Sequence, residues 1–300
     1  MVSPQAQRHI GMLFANPKDR DKPLADSRRD WEREAAELPL ANKSQVRPVI
    51  AGGIAAEWVE VRGADAGRVL LFLHGGGYNS GSAITHRKLA SHLAEVTGLR
   101  VLVPNYRLAP EHPFPAGVDD ALAVYGWLRG QGLEPDEIVA GGDSAGGGLT
   151  LSLLLRLRQR GDTMPKAAVL LSPWTDLTVS SPSYTELQKL DPSISQERLR
   201  RSGLWYAGSG DPADPMASPL FADLSGVPPL LIHVGGHETM LDDSRIFAER
   251  ARAAGVDVSY RMWPGLWHVF HHQHPDVPEA TEALQEIGAF VRSRFQQAAA

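Results

Sequence analysis

The chain has 300 residues, with 30 Lys and Arg against 35 Asp and Glu, for a formal net charge of −5. A small negative charge excludes the basic surface that a nucleic-acid partner needs. An apolar fraction of 43% and a charged fraction of 22% exclude disorder. A chain this long buries a large core, as one α/β domain or as two smaller ones. It has no cysteine, which excludes disulfides, Cys-ligated zinc, iron–sulfur clusters and a thiol nucleophile. The N-terminal stretch has no continuous apolar h-region, and the longest apolar runs, Val69–Leu73 and the stretch around Leu149–Leu155, fall far short of a membrane span. The expectation is a cytoplasmic protein with no membrane and no nucleic-acid partner.

In chain order, the first 45 residues are polar, with mixed charge. Ser27 to Leu38 places Trp31, Ala35 and Leu38 at i, i+4 and i+7, and Pro39 closes it, which predicts an amphipathic helical arm. Short β-type runs then alternate with helical patterns. The runs are Ala56–Val61, Arg68–His74, Arg100–Pro104, Ile138–Gly141, Ala167–Ser172, Leu230–Val234 and Val256–Met262. Helical patterns fall at Ile84–Thr97, Val118–Arg129, Gly146–Arg160, Asp242–Ala254 and Ala280–Arg294. Several runs are apolar throughout, which suits parallel strands covered on both faces, and the alternation predicts a doubly wound α/β sheet. A long stretch rich in Ser, Pro and Asp, with a helical piece at Gln196–Tyr206, separates Ser172 from Leu230. It reads as a functional insertion such as a lid. The run near Val256–Met262 reads as an edge strand, on which a second copy could pair to give a homodimer. Beyond the alanine tail at 298–300 there is no low-complexity tract and no repeat.

The sharpest chemical signal is Gly142-Asp143-Ser144-Ala145-Gly146, a G-x-S-x-G between a predicted strand and a predicted helix. That context is what a nucleophile elbow requires. The bland alternative is a glycine-rich turn with an incidental serine; a phosphate loop is a poor fit, because no Lys-Ser/Thr follows. The second signal is His74-Gly75-Gly76-Gly77, directly after the most apolar strand. Acyl transfer builds negative charge on a carbonyl oxygen, and preorganised backbone N–H groups stabilise it. Gly76, Gly77 and Ala145, the residue after the nucleophile, are the expected oxyanion-hole donors.

A serine hydroxyl needs a base. The C-terminal third offers Trp267-His268-Val269-Phe270-His271-His272-Gln273-His274, and His268 is the expected base. His268 and His272 stand at i, i+4, but no acidic residue follows the zinc pattern H-E-x-x-H, so no metal is expected there. The base needs an acid to fix its tautomer. Asp242 and Asp243 read as first-turn residues that cap a helix, whereas Glu238 lies in the preceding loop, so Glu238 is the expected acid. The chain order Ser144, Glu238, His268 is that of α/β-hydrolases.

With these residues the chain resembles the hormone-sensitive lipase family of α/β-hydrolases, and its bacterial family IV esterases in particular, from about residue 45 to 295. The resemblance includes His74-Gly75-Gly76-Gly77-Tyr78, Gly142-Asp143-Ser144-Ala145-Gly146-Gly147, His268-Val269-Phe270, and the stretch Tyr106-Arg107-Leu108-Ala109-Pro110-Glu111-His112-Pro113-Phe114-Pro115-Ala116. It implies an α/β-hydrolase fold: a mostly parallel eight-stranded sheet with helices on both faces and a helical cap. The cap would come from residues 1–45 and an insertion at 178–225 within a catalytic domain at 46–300. It implies a carboxylesterase acting on short-to-medium acyl esters, with Ser144, His268 and the three backbone donors in the roles given above and no cofactor. Most of the family has Asp where this chain has Glu238; a subset of bacterial members shares the Glu. Tyr78, Leu204 and Trp205, with Tyr206 and with Met12 or Phe14 of the arm, are candidates for an apolar acyl pocket. Ordinary packing is the competing reading for each. A lactone or amide substrate uses the same machinery. A non-catalytic binding protein on this fold, like the plant hormone receptor of the family, would lack the histidine that is present here.

Overall fold

The computed structural model describes residues 2–17 and 22–296; the alanine tail at 298–300 lies outside them. Two helices come first, α1 (Pro4–Ala15) and α2 (Leu24–Ala36). The strands are β1 (Ser44–Ala51), β2 (Ile54–Val61), β3 (Asp65–Leu73), β4 (Leu99–Pro104), β5 (Ile138–Asp143), β6 (Ala167–Leu171), β7 (Leu230–Gly235) and β8 (Val258–Trp263). Helix α3 (Ala83–Thr97) follows β3, α4 (Ala116–Gly130) follows β4 and α5 (Ala145–Arg160) follows β5. The insertion carries α6 (Ser183–Glu186) and α7 (Gln196–Ala207); α8 (Leu241–Ala253) follows β7 and α9 (Pro278–Gln296) comes last.

These strands form one eight-stranded sheet in the order β1-β2-β4-β3-β5-β6-β7-β8. The pairs β1–β2 and β2–β4 are antiparallel and the rest parallel. Side chains of a strand alternate between faces, so a strand covered on both sides must be apolar throughout. In β3, Val69, Leu71 and Leu73 pack with Val118 and Val124 of α4 and Leu149 and Leu153 of α5. Leu70 and Phe72 pack on the other face with Leu89 and Leu93 of α3 and Leu284 and Ile287 of α9. This is the α/β-hydrolase architecture expected from the sequence.

Three elements were not legible: β1, α1 and the four-residue α6. β1 is half exposed and carries Arg47 and Pro48, so it shows no apolar signal; a proline is tolerated because the strand lies at the sheet edge. α1 is a mostly exposed helix that buries Ala6. The predicted arm is α2, but it ends at Ala36, so Leu38 lies beyond it and is exposed.

The topology fixes where chemistry can occur. The chain passes from β3 to β4 on one side and then crosses back to β5 on the other. At such a switch point the loops leave two neighbouring strands in opposite directions and open a crevice at their carboxyl ends. Leu73 pairs with Gly142 across that boundary, so the loop after β3 and the turn after β5 start side by side.

Candidate active site

Ser144 stands alone between β5 and α5, with φ 53° and ψ −123°. A positive φ costs a non-glycine residue about 1–3 kcal/mol and persists only where the surroundings enforce it. Here the Ser144 N–H donates to the Leu171 carbonyl at 2.8 Å, and the Ser144 carbonyl accepts from Trp174 N at 2.9 Å and Gly148 N at 3.2 Å. The helix then runs so close to β3 that a Cβ on Gly146 would lie 1.9 Å from the Leu73 carbonyl oxygen. The serine is thereby held at the tip of a tight turn.

The glycine loop faces it. Asp143 Oδ1 accepts the Gly75 N–H at 3.0 Å. Gly76 has φ 121°, and a Cβ there would meet the Ser80 carbonyl oxygen at 2.2 Å, so this turn requires glycine. The Gly76 carbonyl accepts from Asn79 N and Ser80 N, while among the described residues nothing accepts the N–H of Gly76 or Gly77. The stretch from Tyr106 to Ala116 braces this loop from behind. Tyr106 donates its hydroxyl to the His74 carbonyl at 2.7 Å and stacks on the His74 ring. Ala109 N donates to the Tyr78 carbonyl at 2.9 Å, and Arg107 is locked to Asp120 by Nε and Nη2. From α2, Arg28 donates to the carbonyls of Asn79 and Ala109 and pairs with Glu111.

His268 arrives from the loop after β8. Its Nδ1 lies 2.7 Å from Glu238 Oε2, and Glu238 is fully buried. The other carboxylate oxygen accepts Ser172 Oγ at 2.6 Å and the Gly235 N–H. Ser172 Oγ in turn accepts the N–H of Val269, the neighbour of His268, at 3.2 Å. Burial pushes the His268 pKa down, but the charge of Glu238 and its hydrogen bond push it up further, so the net shift is upward.

A family model described as the alpha/beta hydrolase fold matches residues 70–272. The solved structure of an esterase from the bacterial hormone-sensitive lipase family superposes with a TM-score of 0.94 at 44% identity, covering 98% of this chain and 99% of that one. The chain belongs to the hormone-sensitive lipase family of α/β-hydrolases. This lipase-family chain is also 44% identical to the acetyl-hydrolase of Streptomyces hygroscopicus over 245 residues, 82% of each chain. It is similar to the esterase EstE5, solved after soaking with p-nitrophenyl butyrate, at 39% identity and a TM-score of 0.94, over 98% of this chain and 99% of that one. It is a carboxylic ester hydrolase.

In this esterase the first-turn aspartates of α8 do other work than capping, and the acyl-pocket candidates lie in different surroundings. Asp242 and Asp243 do stand in the first turn of α8, but neither side chain caps it. Asp243 Oδ2 accepts the N–H of Thr175 and Asp176, and Asp242 Oδ2 accepts that of Ser183. Both hold the start of the insertion. Leu204 is 62% exposed. The face of α7 that approaches the glycine loop carries Ser202, whose Oγ accepts Asn79 Nδ2 at 2.7 Å; half-buried Trp205, three residues on, lies on that side. Tyr78 is buried, stacked on Tyr206 with centroids 3.7 Å apart and tilted against Trp174. Of the arm residues, Phe14 lines a cleft of about 530 Å³ with Val2, Ile10, Leu190, His237 and Gly265, whereas Met12 is exposed outside it.

Sequence reasoning missed Asp143, Ser172 and His86. Burial works against the Asp143 charge, but His86 and His272 beside it more than offset that and hold the carboxyl well below its usual range. Two clusters of the described residues have donor sets that could hold a metal: His86, Asp143 and His272, and, on α3 and the loop before α9, His92, Glu95 and His274. In the first, Asp143 is already engaged by Gly75 N and by His86 Nε2 at 3.2 Å. Among the described residues no helix is long and apolar enough to cross a membrane.

Proposed function

We propose that this esterase hydrolyses short-to-medium acyl esters through an acyl-enzyme, with Ser144 as nucleophile, His268 as base and Glu238 as the acid that orients it. The observation that carries the reading is the 2.7 Å contact between His268 Nδ1 and buried Glu238; Ser144, held at positive φ, donates its N–H to Leu171, and the next residue, Ser172, accepts the N–H of Val269. Glu238 fixes the tautomer that leaves Nε2 to take the Ser144 proton. Ser144 Oγ attacks the ester carbonyl, and the charge that develops on its oxygen falls to the N–H groups of Gly76, Gly77 and Ala145. His268 returns the proton to the leaving alcohol. Water, deprotonated by the same histidine, then attacks the acyl-enzyme, and the acid and free Ser144 are released. No step calls for a cofactor.

The helices of residues 1–45 and the insertion at 178–225 would form a cap over the catalytic domain at 46–300. Trp205 of α7 would line the acyl site, with Tyr78 stiffening its floor. A relative named acetyl-hydrolase and a soak of EstE5 with p-nitrophenyl butyrate support a short acyl group as the substrate here. β8 lies at the sheet edge, where a second copy could pair to form a homodimer. The test is hydrolysis of p-nitrophenyl esters from acetate to palmitate by the wild type and by Ser144→Ala. Turnover of the short esters, lost in a folded Ser144→Ala, supports the reading. A folded wild type inert on the whole series, or an active Ser144→Ala, overturns it.

A further inference from the structure

We propose that His92, Glu95 and His274 form a surface site for a divalent first-row cation, zinc in particular, that clamps helix α3 to the segment following the catalytic histidine loop. The three ligand atoms lie within 4.8 Å of one another. His92 Nδ1 and Glu95 Oε2, on adjacent turns of α3, are 3.4 Å apart. Two donors each about 2.1 Å from a tetrahedral zinc are themselves about 3.4 Å apart, so this pair already has ligand spacing. The third donor comes from another element. His274 Nδ1 is 2.9 Å from Thr281 Oγ1; in the tautomer that donates Nδ1–H to that hydroxyl, Nε2 carries a lone pair. A metal-bound histidine is usually oriented by such a second hydrogen bond.

The remaining geometry agrees. His92 is buried, and its ring meets that of His274 edge to face, with centroids 4.4 Å apart. Glu95 has an exposed side chain, free to close the last part of the distance by a rotamer change. Burial lowers the pKa of both histidines, which favours the neutral form that binds metal. One cation opposes the site. Lys88 faces both rings, but it pairs with Asp276 at 3.7 Å, so two carboxylates stand against one ammonium. His274 directly follows the turn Phe270–Gln273 that leaves His268. A metal held here would therefore stiffen the catalytic loop from outside the site, leaving a coordination position for water.

The test is zinc titration of the metal-free full chain by calorimetry, with thermal unfolding in parallel. The expected result is one zinc per chain, at least tenfold weaker binding in His92→Gln and His274→Gln, and a Tm rise of about 5 °C at zinc roughly a hundredfold above Kd that falls to about half or less in both variants. Should a histidine variant fold poorly, Glu95→Gln at the exposed position must weaken binding alone. Metal-free ester hydrolysis should be unchanged in all three. No stoichiometric zinc, undiminished affinity in the variants, or a loss seen only in His272→Gln overturns the proposal, the last by moving the metal to the Asp143 cluster.

Discussion

Asp143 Oδ1 accepts the N–H of Gly75 at 3.0 Å, which ties the residue before Ser144 to the loop opposite it. A Cβ on Gly75 would come within 2.2 Å of the same carboxylate, so loop and elbow are in direct contact. Removing the carboxylate should let the loop drift from the position in which, on the proposed mechanism, its N–H groups meet the oxyanion. Asp143→Ala is expected to lower kcat by about 10²-fold with little change in KM, and stability by about 1–3 kcal/mol. Asp143→Asn, which keeps an acceptor oxygen, should recover part of the rate. Steady-state kinetics beside urea unfolding checks both; an alanine variant with wild-type kcat would remove Asp143 from any positioning role.

The acid partner is tested through pH. The His268 pKa lies above its ordinary value of 6.5 because Glu238 outweighs burial. In the proposed mechanism the neutral imidazole is the base, so kcat/KM should rise with pH through that raised pKa. Glu238→Gln removes the raising charge and leaves the burial. The acid limb should move down in pH, while kcat falls by about 10³-fold or more. Glu238→Ala should cost more turnover than Asp242→Ala or Asp243→Ala. Asp243→Ala should instead show itself in the melting temperature, since that carboxylate holds Thr175 and Asp176. An acid limb that stays in place in Glu238→Gln would count against the pairing.

What was legible in the sequence follows physical lines. β3 announced itself because both its faces are covered, while β1 was silent because it is half exposed and holds a proline. The elbow and the glycine loop were readable because each is a local run whose backbone needs glycine. The second tier was not. Asp143 reaches Gly75 and Ser172 reaches Glu238 across more than sixty residues, and no spacing rule carries that information. The orientation of Leu204 was hidden for a related reason: composition gives the helix, but only packing gives its phase, which leaves Leu204 exposed.

The glycines separate by what surrounds them. A Cβ on Gly76 would meet the Ser80 carbonyl oxygen at 2.2 Å, whereas one on Gly77 would find its nearest neighbour, Ser202 Oγ, at 3.5 Å. Gly77→Ala should fold, at a strain cost of about 1–3 kcal/mol from its φ of 65°. Gly76→Ala should lose its loop altogether, with poor soluble yield or an early unfolding transition. Equal stability of the two variants, measured by thermal melts, would mean the loop can relax.

On α7, Leu204 and Trp205 are neighbours in sequence but not in role. Leu204 stands in solvent, so Leu204→Ser should change stability by no more than about 0.5 kcal/mol and leave the acyl preference alone. Trp205 is half buried and packs against the core, on the side of the helix where Ser202 meets Asn79. With Trp205 lining the acyl site as proposed, Trp205→Ala should enlarge that site and shift the preference among p-nitrophenyl esters toward longer chains, with KM moving more than kcat. If Leu204→Ser shifts the preference and Trp205→Ala does not, the acyl chain lies across the outer face of the helix, and the cap must move on binding.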